Sequence, residues 1–165
     1  MTPSRLEAGT TAYYRSPIGV LEIIGTGEGV LEVNFSGNAP DRLAPPSLVP
    51  AVVQGCLQEL DEYFRGVRKS FSVKLTLKGT DFQERVWRRL LNIPYGQTAS
   101  YKEIAEAIGS PRAIRAVGGA NHHNPISIIV PCHRVVGHHG GLVGYGGGLW
   151  RKEWLLQHER RFSGR

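Results

Sequence analysis

The spacing of apolar residues changes near Gly79, and this change limits the fold more than any other feature of the sequence. Before Gly79 there are three short β-rich runs, at residues 11–15, 19–24 and 30–35, separated by glycines and other residues that favour turns. A proline-rich link follows at residues 39–50. Apolar residues then recur every three or four positions, which is the period of an amphipathic helix. A further strand is expected between this helix and Gly79.

Helical patterns dominate the chain after Gly79. The segment Thr80-Asp81-Phe82-Gln83 has the spacing of a capping box, which predicts a helix that ends before Pro94. A last helix is expected from residue 149 to about residue 160. It follows a glycine-rich stretch at residues 137–148, which lacks the lysine of a nucleotide-binding loop and suits a flexible loop over a pocket.

Between these two helices the sequence predicts a helix-turn-helix. One helix, at about residues 100–108, ends at Gly109, and the next is expected to begin near Pro111, because proline suits a first helical turn. The second helix contains Gly118 and Gly119, although each glycine costs a helix about 1 kcal/mol. Small residues let a backbone approach another molecule closely, and DNA is a plausible partner.

Strands followed by helices predict an α+β fold. We expect an N-terminal domain at residues 1–78, made of a small antiparallel sheet and a helix. A mostly helical domain that contains the helix-turn-helix is expected at residues 79–165.

The adjacent pair Cys132 and His133 is the strongest chemical signal. The pair follows an apolar run at residues 126–130, which is interpreted as a strand. An imidazole that accepts the thiol proton raises the fraction of reactive thiolate, and Glu159 could orient that imidazole. Asn124 lies in a turn just before the apolar run. The alternative is a buried, inert cysteine beside a chance histidine, because cysteine is among the most buried residue types.

Composition and charge favour a polyanionic partner and argue against a metal centre. The formal net charge is +6, which suits nucleic acid but is also common in proteins that never bind it. The only other cysteine, Cys56, lies on the apolar stripe of the first predicted helix, so a structural role is expected. The paired histidines lack the spacing of metal ligands and are interpreted as polar loop residues; they are His122, His123, His138 and His139.

Two further features concern location. No apolar stretch reaches the roughly 18 residues of a membrane span. The first five residues lack the apolar core of a secretory signal, and two cysteines are too few for a disulfide framework. We therefore expect a cytoplasmic protein.

Several motifs in order resemble one family. They are Pro131-Cys132-His133-Arg134-Val135, the stretch at 115–120, Asn124-Pro125, Gly144-Tyr145 and the stretch at 152–156. Together they resemble the O6-alkylguanine-DNA alkyltransferases, which are also called methylated-DNA-protein-cysteine methyltransferases. The resemblance is strong from about residue 80 to residue 159 and weaker before that, and it implies an RNase H-like N-terminal domain.

The resemblance implies roles for the reactive residues. A guanine that carries an O6-alkyl group would be flipped out of the duplex, and Cys132 would attack the alkyl carbon. His133 would act as the base through a water, and Glu159 would hold its imidazole. Asn124 would tie neighbouring backbone segments together, and Tyr101 would donate a proton or hydrogen bond to the leaving guanine.

The resemblance also implies a DNA interface and a pocket. The interface would lie in the minor groove of double-stranded DNA, with Arg115 entering the duplex in place of the flipped base. Other residues expected at the DNA are Ala116, Gly118, Gly119 and Ala120. A loop that closes over the base would contain Tyr145, Gly146 and Gly147. The guanine amine would be bound by the carbonyls of Cys132 and Val135. A monomer is expected in solution, and cooperative binding on DNA is left open.

The product of such a transfer is a thioether, which water cannot release. The protein would therefore act once, without a cofactor or a metal, on O6-alkylguanine, with O4-alkylthymine left open as a second lesion. Two rival hypotheses are a protein that recognises alkylguanine without repairing it and a thiol hydrolase that uses Cys132, His133 and Asn124. The first rival lacks a reactive cysteine, and the second does not need a helix-turn-helix.

Overall fold

The computed structural model describes residues 9–41 and 48–164, which fall into two compact units on either side of the Leu77–Lys78 bond. The expectations for the N-terminal residues and for part of the proline-rich link lie outside these ranges. No helix of the described residues is long and apolar enough to cross a membrane.

The first unit is a three-stranded antiparallel meander covered by one helix, as predicted. Strands β1 (Thr10–Ser16), β2 (Gly19–Thr26) and β3 (Gly29–Ser36) are adjacent in that order, and helix α1 (Ala51–Phe64) contacts all three. In β2, buried residues alternate with partly exposed ones, so one face of the sheet forms a core with the apolar side of α1. Cys56 is fully buried there, which confirms its structural role.

The strand expected after α1 is reduced to a single bridge. Val30 pairs with Leu75 in parallel, through the Val30 amide to the Lys74 carbonyl and the Thr76 amide to the Val30 carbonyl, both at 2.8 Å. Just before this point the carboxylate of Glu59 accepts hydrogen bonds from the backbone amides of Ser72 and Val73, at 2.8 and 3.0 Å. A side chain therefore satisfies the backbone groups that a longer strand would have offered to a neighbour.

As far as it is described, the second unit contains four α-helices, a short 3₁₀-helix and a parallel pair of two-residue strands. The elements are α2 (Asp81–Leu90), β4 (Ala99–Ser100), α3 (Tyr101–Ala107), α4 (Ile114–His122), β5 (Val135–Val136) and α5 (Leu149–Ser163). Both hydrogen bonds of the capping box form at the start of α2: the Thr80 side chain accepts from the Gln83 amide, and the Gln83 side chain accepts from the Thr80 amide. The capping-box prediction is confirmed. Helices α2, α3 and α4 pack against one another.

Two helix boundaries differ from the prediction. Helix α4 begins at Ile114 instead of near Pro111, because the Ala113 amide bonds to the Ser110 carbonyl at 2.9 Å and closes a separate turn around the proline. The connection between α3 and α4 is therefore longer than a short glycine turn. Helix α5 extends to Ser163, beyond the expected end near residue 160.

Candidate active site

The segment that leads to Cys132 is a series of tight turns, and the strand predicted for residues 126–130 is wrong. The Ile129 amide bonds to the Ser127 carbonyl at 2.8 Å, and the Cys132 amide bonds to the Val130 carbonyl at 2.8 Å. The side chain of Asn124 spans this segment, since its Nδ2 donates to the Val130 carbonyl at 2.8 Å and its Oδ1 accepts from the Ile126 amide at 3.0 Å. Apolar β-branched residues here fill the core without forming a ladder.

One residue of this segment has an unfavourable backbone. Ile128 is the only residue other than glycine in the described chain with a positive φ, at 72°, and its side chain is fully buried. For a β-branched residue this conformation costs about 1–2 kcal/mol. Burial of its side chain and the Asn124 hydrogen bonds on either side offset that cost. The turn therefore brings Cys132 to a defined place beside the core.

Cys132 begins a short 3₁₀-helix, residues Cys132–Arg134, and is only 4% exposed. Burial raises the pKa of its thiol. A hydrogen bond from Asn124, the charge of Lys152 and the backbone amides of Cys132 and His133 act in the opposite direction but do not outweigh burial. The thiol of the free protein is therefore protonated, so thiolate formation has to accompany the reaction.

Glu159 is fully buried and binds both residues that follow Cys132. Its Oε2 lies 2.7 Å from Nε2 of His133, and Arg134 donates to its two oxygens at 2.7 and 3.0 Å. The backbone amide of Gly96 donates to its Oε1 at 3.1 Å. Burial alone would raise the pKa of Glu159, but His133 and Arg134 outweigh it and hold that pKa well below its usual range. Glu159 is therefore a carboxylate that accepts hydrogen bonds from His133, Arg134 and the Gly96 amide.

His133 is neutral in this network. Burial lowers the pKa of its imidazole, and the charges of Arg134 and Lys152 add to that effect against the opposing influence of Glu159. A carboxylate can only accept, so Nε2 carries the proton and Nδ1 is an unprotonated acceptor. Nδ1 is buried without a hydrogen-bond partner among the described residues. It can receive a proton while Glu159 stabilises the resulting charge.

Lys152 is a site residue that sequence reasoning missed. It is fully buried on α5, and its Nζ donates to the Val135 carbonyl at 2.5 Å, the Gly144 carbonyl at 3.2 Å and the Val143 carbonyl at 3.3 Å. Burial lowers its pKa to about 8, while the nearby Cys132 raises it. Lysine is almost never fully buried without partners. The one sequence signal for Lys152 is its position in the family-like stretch at 152–156, which by itself gives no chemical role.

A cavity of about 370 Å³ lies close to Cys132, which is not itself among the lining residues. Asn121 lines the cavity and donates to the Cys132 carbonyl at 3.3 Å. Tyr101 lines it, and its hydroxyl donates to the Val143 carbonyl at 2.9 Å. Burial raises the pKa of Tyr101, and Cys132 raises it further. A hydrogen bond from Asn121 acts in the opposite direction without outweighing them, so the phenol keeps its proton. The other lining residues come from α4 and from the glycine-rich loop: Ile114, Arg115, Gly118, His122, Val143, Gly144, Tyr145 and Gly146. The size is ordinary for a small-ligand pocket.

The expected loop residues are divided between this cavity and its surroundings. Tyr145 and Gly146 line the cavity, and burial raises the pKa of Tyr145 well above its usual value. Gly147 lies beside them, where its carbonyl accepts from Arg151 at 2.8 Å. Val135 is buried in β5.

Helix α4 presents most of its expected interface residues to the outside. Arg115, Ala116 and Gly119 are exposed, and Gly118 is partly exposed. An added Cβ on Gly119 would meet no described atom within 4 Å, so packing inside the protein does not require glycine there. Ala120 is the exception and a correction: it is 4% exposed, and its carbonyl accepts from the Trp87 indole at 2.8 Å, so it belongs to the core.

Metal ligands do not converge in the described part of the chain, where no group of three or more His, Cys, Asp and Glu side chains could hold an ion. The His122 and His123 rings contact each other edge to face, and the His138 and His139 rings are also paired. Within residues 9–41 and 48–164 these pairs are ring contacts without a third ligand.

Both units match models of the same family. Residues 10–77 match the family description "6-O-methylguanine DNA methyltransferase, ribonuclease-like domain", and residues 81–161 match "6-O-methylguanine DNA methyltransferase, DNA binding domain". The α+β fold class predicted from the sequence is confirmed, and the first unit matches a ribonuclease-like domain.

Individual relatives agree with this match. The chain is 49% identical over 150 residues to the methylated-DNA-protein-cysteine methyltransferase of Mycobacterium tuberculosis, and the match covers 88% of each chain. The identity is also 49% to the protein of that name from Methanosarcina acetivorans, over 90% of this chain and 96% of the relative.

Solved structures are similar along most of the chain. The crystal structure of Mycobacterium tuberculosis OGT in complex with DNA has a TM-score of 0.81 and 48% identity, covering 91% of this chain and 93% of that one. The O6-methylguanine-DNA methyltransferase of Pyrococcus kodakaraensis has a TM-score of 0.60 and 29% identity, covering 90% and 97%. The family inferred from the motifs is confirmed: this chain belongs to the 6-O-methylguanine DNA methyltransferases.

Proposed function

We propose that this protein repairs DNA by moving the alkyl group of O6-alkylguanine irreversibly onto Cys132. The observation that carries the proposal is a buried thiol followed by a neutral His133 that is paired with a buried carboxylate. A cavity large enough for a small ligand lies close by, and its lining residue Asn121 bonds to the Cys132 carbonyl. Family membership and the DNA complex of the Mycobacterium tuberculosis relative support DNA as the partner.

The chemical step is a single displacement. The sulfur of Cys132 forms a bond to the alkyl carbon while the bond from that carbon to O6 breaks, and the electron pair stays on the guanine. The thiol proton moves to Nδ1 of His133, through a water, because no direct hydrogen bond joins the two side chains among the described residues. A thioether has no good leaving group, so each molecule reacts once and needs no cofactor.

The leaving guanine needs a proton or a hydrogen bond, and Tyr101 is suited to provide it once its hydroxyl turns from the Val143 carbonyl to the base. Tyr101 lines the cavity and retains its proton, because burial and the nearby Cys132 both raise its pKa. Lys152 would stabilise the thiolate, since its charge lowers the pKa of Cys132. Asn124 would keep the turn before Cys132 in place and hydrogen-bond the sulfur.

The DNA interface would be the outer side of α4. The small residues Ala116, Gly118 and Gly119 allow the sugar-phosphate backbone to approach, and the exposed Arg115 at the cavity would replace the flipped base in the stack. Tyr145, Gly146 and Gly147 would close over the base. The net charge of +6 predicts binding that weakens as salt rises.

The two units would divide the work. We assign residues 1–78 to an N-terminal α/β domain and residues 79–165 to the domain that binds DNA and accepts the alkyl group, which agrees with the family matches at 10–77 and 81–161. Transfer requires a reduced thiol, and both cysteines are free. A reducing compartment such as the cytoplasm is therefore the expected location.

Mass spectrometry tests this function. After incubation with a duplex that contains O6-methylguanine, the peptide holding Cys132 should permanently gain the mass of one methylene. Cys132→Ser should bind the duplex without gaining mass. The matched control is Cys56→Ser, which should react normally, because burial raises the pKa of Cys56 to about 12 and keeps it inert.

Other outcomes separate the rivals. Binding of the lesion without a mass gain in the wild-type protein would favour recognition without repair. Repeated turnover of an ester or peptide substrate would favour a thiol hydrolase.

A further inference from the structure

Asn121 is a buried polar residue at the cavity that the proposed mechanism does not use. It is 7% exposed, it lies on α4, and it lines the cavity with Tyr101. Its Nδ2 donates to the carbonyl of Cys132 at 3.3 Å. Its Oδ1 is buried and has no hydrogen-bond partner among the described residues.

The orientation of this amide is determined by its neighbour. The carbonyl of Cys132 can only accept, so the amide must present its nitrogen there, and Oδ1 must face another direction. A buried acceptor without a donor is unfavourable, and such groups in native proteins are rare. Tyr101 already donates its proton to the Val143 carbonyl. Its hydrogen bond with Asn121 lowers the Tyr101 pKa, so that bond is donated by the amide nitrogen and does not use Oδ1. The free protein therefore contains an acceptor that a ligand in this cavity can satisfy.

The chemistry of the base determines which ligand group can do so. O6-alkylguanine has no hydrogen on N1, so the exocyclic 2-amino group is the only N–H donor on the base. That amine has two hydrogens. Its two expected acceptors each receive one hydrogen bond already: the Val135 carbonyl from Nζ of Lys152 at 2.5 Å and the Cys132 carbonyl from Nδ2 of Asn121 at 3.3 Å. Oδ1 of Asn121, in contrast, has both lone pairs available.

We propose that Asn121 is a specificity-determining residue whose Oδ1 accepts a hydrogen bond from the 2-amino group of the flipped base, next to the Cys132 carbonyl. The inference rests on the proposed function. Cys132 and Oδ1 of Asn121 are both buried in the free protein, so a base that reaches the thiol must uncover the region in which both lie. The preference would act on guanine lesions and against the same alkylated base without its amine.

Single-turnover rates on two oligonucleotides test this role. One duplex carries O6-methylguanine and the other carries O6-methylhypoxanthine, which differs only by lacking the 2-amino group. The wild-type protein should prefer O6-methylguanine by about tenfold. Asn121→Leu, which has a similar size and no acceptor, should slow transfer from O6-methylguanine by roughly five- to tenfold while leaving O6-methylhypoxanthine within about twofold.

Controls separate reading of the base from a structural role. Asn92→Leu, at an exposed position on the described surface, should leave both rates unchanged. If Asn121→Leu slows both lesions by the same factor, or if the wild-type protein does not distinguish them, the assignment is wrong. The second comparison needs no variant, so a misfolded Asn121→Leu does not prevent the test. If the wild-type protein accepts a methyl group from neither lesion, the proposed function itself fails and the inference fails with it.

Discussion

Replacing Glu159 by glutamine should destabilise the protein far more than such a small change in the side chain suggests. The change keeps the shape of the side chain but removes the charge that faces Arg134, which is 6% exposed and donates to both carboxylate oxygens. One of those oxygens becomes an amide nitrogen, which cannot accept a hydrogen bond. Removing one partner of a buried ion pair costs about 3–5 kcal/mol. For a chain of this size, the melting temperature should fall by roughly 6 to 20 °C.

Urea unfolding near neutral pH measures this cost, and α5 offers a matched control. Glu153 lies on the same helix but is exposed, so Glu153→Gln makes the same chemical change without leaving a buried charge. Its effect on the free energy of unfolding should stay within about 0.5 kcal/mol. The rate of methyl transfer should fall in Glu159→Gln but not in Glu153→Gln, because only the first change removes the negative charge that stabilises protonated His133.

A double variant identifies the cause. Arg134→Met combined with Glu159→Gln removes both buried charges, so it should be more stable than the sum of the two single losses allows. Equal effects of Glu159→Gln and Glu153→Gln, or strict additivity in the double variant, would refute the reasoning.

Three further predictions concern His133, Lys152 and the surface of α4. Burial lowers the pKa of His133, so below about pH 6.5 the unfolded chain binds more protons than the folded protein, and the free energy of unfolding should fall as pH decreases. Urea midpoints measure this dependence on pH, and His133→Gln should make it flatter. Lys152→Met should raise the pKa of Cys132 and slow its alkylation by iodoacetamide by roughly tenfold near neutral pH, whereas Lys102→Met, at an exposed site, should not. Gly119→Ala should weaken DNA binding, while the free energy of unfolding should stay unchanged or rise by up to about 1 kcal/mol. The control is Gly55→Ala, at an equally open helical position, which should leave DNA binding unchanged. Equal affinities of the two variants for DNA would contradict the proposed interface.

Much of the fold could be predicted because its signals are local. The capping box of Thr80 and Gln83 starts α2 where expected, and the three β-rich runs pair as a meander because short turns join neighbours. The errors arise where a distant group competes with a local preference. The Glu59 carboxylate accepts hydrogen bonds from the amides of residues 72 and 73, which limits the fourth strand to one bridge. Ala120 looks like part of a small-residue surface, but Trp87 covers it.

The reactive pair, Cys132 and His133, could be recognised from the linear chain, because the two residues are adjacent and need no folding to meet. Motif order was sufficient to identify the family. How that pair is controlled depends on folding. The fold brings the buried charge of Lys152, twenty positions further along the chain, close to Cys132, and it places Arg134 beside Glu159 as a second partner. It also turned residues 126–130 into a buried turn and left Asn121 with an unsatisfied oxygen. Burial, charge and hydrogen bonding are properties of neighbours in space, and the linear spacing of residues does not contain them.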